Sequence, residues 1–193
     1  MDDGLNAPQP SQPSEPAPAR IGGGLLHLLR EVLETILPAI LIALLINVFI
    51  GQATRVEGMS MEPSLHTDQR LVVEKVSYHF HGPQRFDIVV LKLPEQGDDL
   101  LIKRVVGLPG ETLDFHDGRV YVDGQVLDEP FIGVDTGPGR TESLIVPPLH
   151  IFVLGDNRSH SNDSRNFGPV PIDNIVGRAW LSYWPPEEVG LVD

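Results

Sequence analysis

At 193 residues the chain has room for one ordinary domain with appendages, and its 41% hydrophobic content is globular rather than disordered. A formal charge of -13 leaves no surplus of Lys and Arg to neutralise phosphates, which excludes a nucleic-acid partner. The absence of cysteine excludes disulfides, a thiol nucleophile and cysteine-based zinc sites.

Residues 1–20 are rich in Pro, Ala, Ser and Gln and hold almost no large apolar side chain, so they cannot bury enough surface to offset ordering. A disordered tail is expected over residues 1–30. From Ile36 to Ile50 only Pro38 and Asn47 interrupt an apolar run, which as a helix rises about 22 Å. Extended over residues 33–53 it reaches about 30 Å, the thickness of the hydrocarbon core, with Glu34 near one interface. Residues 40–46 are apolar on every side, which suits lipid. A single membrane-spanning helix over residues 31–53 is therefore predicted. The alternatives are a buried or amphipathic helix, or a cleaved secretory peptide ending near Gln52-Ala53, against which stand the acidic Glu31 and Glu34 in front of the run. Arg20 and Arg30 before the span, against Arg55 after it, place the N-terminus in the cytoplasm and the remainder outside.

Beyond the span the pattern turns to short β-rich runs at 71–73, 86–93, 100–106, 119–122, 150–154 and 175–184, separated by turn residues. Asp117-Gly118 and Asp123-Gly124 predict two tight hairpins. Residues 129–148 read as a long loop. The fold class is thus mainly β and mostly antiparallel: a domain over 54–193, with a catalytic core at 54–115 and 149–184 and an excursion at 116–148.

Three stretches carry chemistry. In Gly58-Met59-Ser60-Met61-Glu62-Pro63-Ser64-Leu65, Pro63 keeps Ser60 off a regular helix start, so the serine sits on an irregular loop. It is not a nucleophile elbow, since Glu62 stands where a second glycine is needed. A base is required, and His66 is one candidate, though nothing local supplies the orienting carboxylate of a triad. Met59, Met61 and Leu65 either line a cleft or membrane surface, or pack the core.

In Ile102-Lys103-Arg104-Val105-Val106-Gly107-Leu108-Pro109-Gly110-Glu111, a strand puts Lys103 on one face with Leu101 and Val105 and sends Arg104 the other way. Desolvation there lowers a lysine pKa and makes it a usable base; an edge lysine reaching water is the alternative. In Gly155-Asp156-Asn157-Arg158-Ser159-His160-Ser161-Asn162-Asp163-Ser164-Arg165, oxygen donors allow a solvated turn or a calcium loop, but Arg158 and Arg165 set positive charge beside any cation. His79 and His81, at i and i+2, could face one metal if they lay on a strand.

Together and in this order, the three motifs and the preceding apolar segment resemble the type I signal peptidases over residues 31–184. The resemblance implies Ser60 as acyl-enzyme nucleophile, Lys103 as its base, Ser161 as the hydroxyl that orients the lysine ammonium, and Asp163 with Arg165 as a supporting ion pair. It implies a β domain on the membrane surface and no metal or other cofactor. Its substrates would be exported preproteins, cut after small residues at the first and third positions before the scissile bond. A single-pass protein of the cell membrane, probing the lipid bilayer as a monomer, is expected, with an organellar membrane as alternative. Gly58 departs from relatives that carry a hydroxyl residue there to donate to the oxyanion, which leaves backbone amides, that of Ser60 first, to form the hole. A self-cleaving repressor-type protein with the same dyad and a non-enzymatic, membrane-tethered β module are the competing classes.

Overall fold

The computed structural model describes residues 22–45, 51–94, 97–132 and 143–192, and the chain divides between Ile42 and Ala43 into two compact units. α1 (Gly22–Leu45) has 24 residues and is about 36 Å long. Its charges are satisfied one turn away, Arg30 Nε donating to Glu34 Oε1 at 2.7 Å. Leu28, Leu33, Ile36, Leu37, Ile40 and Leu41 stand exposed along it.

Two expected boundaries are corrected. The tail drawn to residue 30 is too long, because helix already runs from Gly22; residues 1–21 lie outside the described ones. The span drawn to residue 53 overreaches, because Gln52 and Ala53 are strand residues whose backbone pairs with Val73 and Val72; residues 46–50 of that span also lie outside. Among the described residues no helix is long and apolar enough to cross a membrane. The charged turn at 30–34 cuts the apolar run on one side, and only residues 36–45 follow it within α1.

The second unit is built of antiparallel strands: β1 (Gln52–Arg55), β2 (Arg70–Glu74), β3 (Ile88–Lys92), β4 (Leu100–Gly107), β5 (Thr112–His116), β6 (Arg119–Val122), β7 (Gln125–Val126), β8 (Leu144–Ile145), β9 (His150–Leu154), β10 (Val170–Pro171), β11 (Ile175–Trp184) and β12 (Gly190–Leu191), with short helical turns between them, α2 (Ser164–Phe167) among these. The larger sheet runs β1-β2-β11-β3-β4-β9-β10 with β12 beside β11, and the smaller runs β7-β6-β5-β8. Both predicted hairpins are present, with Asp117, Gly118, Asp123 and Gly124 at positive φ as such turns require.

The excursion is a sheet of its own and begins earlier than expected. Thr112 and Leu113, assigned to the core, pair with Ile145 and Leu144 inside the expected loop. Two-residue β8 is too short to carry an alternation, which is why it read as loop; residues 133–142 of that loop lie outside the described ones.

β9, and β4 from Val105 onward, are apolar without alternation because both of their faces are covered. Val105, Ile151 and Val153 join Val89 and Leu91 on one side. Val106, Phe152 and Leu154 join Leu113, Phe115 and Val146 of the second sheet on the other. A third cluster packs Met61 and Leu65 of the 56–69 loop against Val56, Leu71, Ile88 and Ala179. Each such side chain contributes about 1.5–3 kcal/mol by leaving water, so the loop carrying Ser60 is fastened from below at two points.

Candidate active site

The 56–69 loop leaves β1 and returns to β2. It is closed by Val56 N donating to Gln69 O at 2.8 Å and Asp68 N to Val56 O at 2.9 Å. Within it Leu65 N reaches Met61 O at 2.9 Å, and Thr67 Oγ1 donates to Gly58 O at 3.0 Å. Gly58 has φ +78, with nothing within 4 Å of where a Cβ would stand. Glycine there serves a left-handed backbone beside open space. Met61 and Leu65 are core, at 1% and 2% exposure, whereas Met59 is 52% exposed.

Lys103 comes from β4 and is only 3% exposed. Its Nζ lies 2.8 Å from Ser60 Oγ and donates to Ile102 O, also at 2.8 Å. Burial pushes its pKa from 10.5 down to about 8, while Asp163 and Asp156 pull it back up. That pull is weakened because both carboxylates are paired elsewhere: Asp156 with Arg104, by Nη2 at 2.8 Å, and Asp163 with Arg165, by Nε at 2.8 Å. Desolvation therefore wins, and the lysine is poised to exchange a proton with the serine near neutral pH.

The 155–165 loop closes over Ser60. Asn157 N donates to Ser60 O at 3.0 Å, and a Cβ on Gly155 would sit 2.4 Å from that carbonyl and 2.2 Å from Ser161 Oγ. No residue larger than glycine fits there. Ser161 lies beside the dyad, but its Oγ is buried without a hydrogen-bond partner, and the second bond of Lys103 goes to Ile102 O instead. Asp163 and Arg165 form the expected pair; Asp163 Oδ2 also accepts from Gly155 N at 3.1 Å.

Other candidates fall elsewhere. His66 is exposed and its amide is spent on Gln69 Oε1; the side chain bonded to Ser60 Oγ is Lys103. His79 lies on a helical turn, Ser77–His79, rather than a strand, so the i, i+2 spacing does not aim it with His81. Their Nδ1 atoms bond the carbonyls of Lys75 and Gly82. Asp156 and Asp163, weighed as calcium donors, engage guanidinium groups.

Sequence patterns missed two buried cations. Arg104, 1% exposed, holds Asp156 with Nε and Nη2, donates from Nη1 to Phe86 O at 3.1 Å and from Nη2 to Ser64 Oγ at 3.2 Å. Its Cζ stands 3.9 Å above the Phe131 ring. Arg158, 4% exposed, pairs with Glu129. Alternation along β4 points Arg104 away from Lys103 but does not tell that Phe131 covers it there.

A cleft of about 320 Å³ opens beside Ser60 and Lys103 between two stretches of chain, 54–57 and 98–102. β1 pairs only with β2, and β9 pairs with β4 only from Arg104 onward. Among the described residues the cleft thus runs between two unpaired strand edges, with Val56, Met61, Leu101 and Ile102 in its lining.

The family model for signal peptidase, peptidase S26, matches residues 29–184. The chain is 41% identical over 169 residues to the probable signal peptidase I-1 of Synechocystis sp., covering 84% of this chain and 86% of that one. It is 40% identical over 194 residues to the signal peptidase I of Leptolyngbya laminosa, covering 95% and 88%. It is 37% identical over 175 residues to the chloroplastic thylakoidal processing peptidase 1 of Arabidopsis thaliana, covering 86% of this chain and 51% of that one.

Proposed function

The chain belongs to the signal peptidase S26 family, and we propose that it is a serine endopeptidase that removes signal peptides from exported preproteins, with Ser60 as nucleophile and Lys103 as general base. The observation that carries the residue assignment is the 2.8 Å approach of Lys103 Nζ to Ser60 Oγ on a lysine 3% exposed. Neutral Lys103 takes the hydroxyl proton as Ser60 Oγ attacks the scissile carbonyl, and the resulting ammonium gives that proton to the leaving amine. The same nitrogen then deprotonates water, which hydrolyses the acyl-enzyme. Ser161 receives the ammonium when its bond to Ser60 breaks, and the Asp163–Arg165 pair holds the loop that presents Ser161. The oxyanion is met by the Ser60 backbone amide, with side-chain-free Gly58 leaving room for substrate to approach.

The two unpaired edges beside the cleft support an extended substrate, added as a strand between β1 and β4. A peptide held that way presents alternate side chains to the same wall, in keeping with cleavage after a small-x-small pattern. Membrane anchoring rests on the apolar residues 36–50, of which α1 holds the first ten. The N-terminus lies in the cytoplasm, and a monomeric peptidase domain, residues 54–193, lies across the membrane at the bilayer surface.

Cleavage of a synthetic preprotein in detergent tests the dyad. Wild type is expected to cut after small-x-small sites, while Ser60→Ala and Lys103→Ala, folded by circular dichroism, lose at least about a thousandfold in rate, the scale of removing a catalytic unit. Substantial turnover by either variant removes that residue from the mechanism.

A further inference from the structure

Two buried arginines flank the proposed dyad, and one short segment touches both. Residues 128–132 leave the second sheet just after β7, where Leu127 N is tied to Val120 O at 2.8 Å. The segment turns on itself, Ile132 N donating to Glu129 O at 3.3 Å. From this turn Glu129 reaches Arg158, Oε2 accepting from Nη1 at 3.2 Å, with side chains 3% and 2% exposed. Two residues on, the Phe131 ring lies under the Arg104 guanidinium, 3.9 Å from Cζ to centroid, and meets Phe86 edge-on at 5.2 Å.

Each arginine leads to one half of the dyad. Arg158 Nε donates to Gly155 O at 3.0 Å, in the loop that packs on and hydrogen-bonds the Ser60 carbonyl. Arg104 adjoins Lys103 in β4 and reaches back to the serine loop through Ser64 Oγ. Carboxylate, carbonyl and hydroxyl partners hold the guanidinium edge of Arg104, and Phe131 covers one of its faces.

We propose that residues 128–132 are a positioning strap, by which the second sheet holds the Ser60 loop through Glu129 on Arg158 and the Lys103 strand through Phe131 on Arg104. Neither residue touches substrate. The strap rests on the Ser60–Lys103 reading and gives the second sheet a part in turnover rather than in substrate binding.

The test compares full-length Phe131→Leu, Phe131→Tyr and Glu129→Gln with wild type on a synthetic preprotein in detergent, with thermal unfolding of each. Phe131→Leu keeps apolar volume and discards the ring face; loss of a desolvated cation–π contact is expected to lower kcat about tenfold, with KM within about twofold. Phe131→Tyr, which keeps the ring, is expected to restore kcat to within about twofold of wild type. Glu129→Gln is expected to lower kcat in the same manner. Should Phe131→Leu not fold, Phe131→Met carries the same expectation.

Wild-type kcat in Phe131→Leu overturns the strap, as does an equal loss in Phe131→Tyr, which would mean packing alone. A raised KM at unchanged kcat also overturns it, because the segment would then bind substrate. Turnover by Ser60→Ala or Lys103→Ala in the same assay would instead overturn the dyad, and dead dyad variants beside a fully active Phe131→Leu would overturn the strap only.

Discussion

A buried lysine is a burden on the fold, and its size can be read from Lys103. Its pKa falls from 10.5 to about 8 on burial, so between those values the unfolded chain binds more protons than the folded one, and stability rises with pH across that window. Below about pH 8 the whole penalty applies, about 3 kcal/mol for a displacement of that size. Lys103→Met is thus expected to be inactive yet more stable than wild type at pH 7 by about that amount, the gain vanishing above about pH 10.5; urea unfolding at several pH values measures it. With Lys103 as the proposed base, its protonation as pH falls is expected to lower kcat/KM about tenfold per pH unit below pH 8. A flat profile through that range would exclude a lysine base. Lys103 was legible because Leu101 and Val105 share its face. Arg104 was not, since alternation says which way a side chain points but not whether a second layer waits there. The unpartnered Oγ of Ser161 was likewise beyond a motif, which fixes residue types and leaves hydrogen bonds to the fold.

Among the elements, strands with an apolar run or a flanking turn signal were legible, four-residue β6 included, and those without either were not. β9 and β11 coincide with their apolar runs, His150–Leu154 and Ile175–Trp184. Gln52–Arg55 has no β signal of its own and follows closely on the apolar run that ends at Ile50, so only its partner β2 defines it as a strand. The 164–167 turn is too short for any period, and Asp163 caps it by accepting from Arg165 N at 3.2 Å. Where β4 meets the 155–165 loop, the Arg104–Asp156 pair is 1% and 0% exposed, and such a pair is costly to break and cheap to replace. Asp156→Leu alone strands a buried guanidinium and is expected to lose about 3–5 kcal/mol, whereas Arg104→Met with Asp156→Leu recovers most of it. Chemical denaturation of Asp156→Leu, Arg104→Met and the double variant gives the coupling directly; equal losses in Asp156→Leu and the double variant would mean the site cannot close around apolar side chains.

For the whole molecule, charge and anchoring pull against each other. Residues 55–193 carry twelve basic and twenty-two acidic side chains, an excess that repels an anionic bilayer, whereas the proposed anchor, apolar residues 36–50, would hold the chain to one. With Ser60 only ten residues beyond that apolar stretch, such an anchor would leave the peptidase little freedom to retreat from the surface, and the repulsion would act where the substrate bond must enter. Full-length protein in vesicles is therefore expected to cut a membrane-inserted preprotein more slowly when the lipid is anionic than when it is zwitterionic. The difference should collapse at about 0.5 M salt, where the screening length falls to a few ångströms. A short soluble peptide that does not partition into lipid is expected to show no such dependence, since its bond reaches Ser60 from water. Equal rates in both lipids at low salt would mean that the acidic side chains face away from the bilayer, and would leave the approach of substrate to be governed by the cleft between β1 and β4 alone.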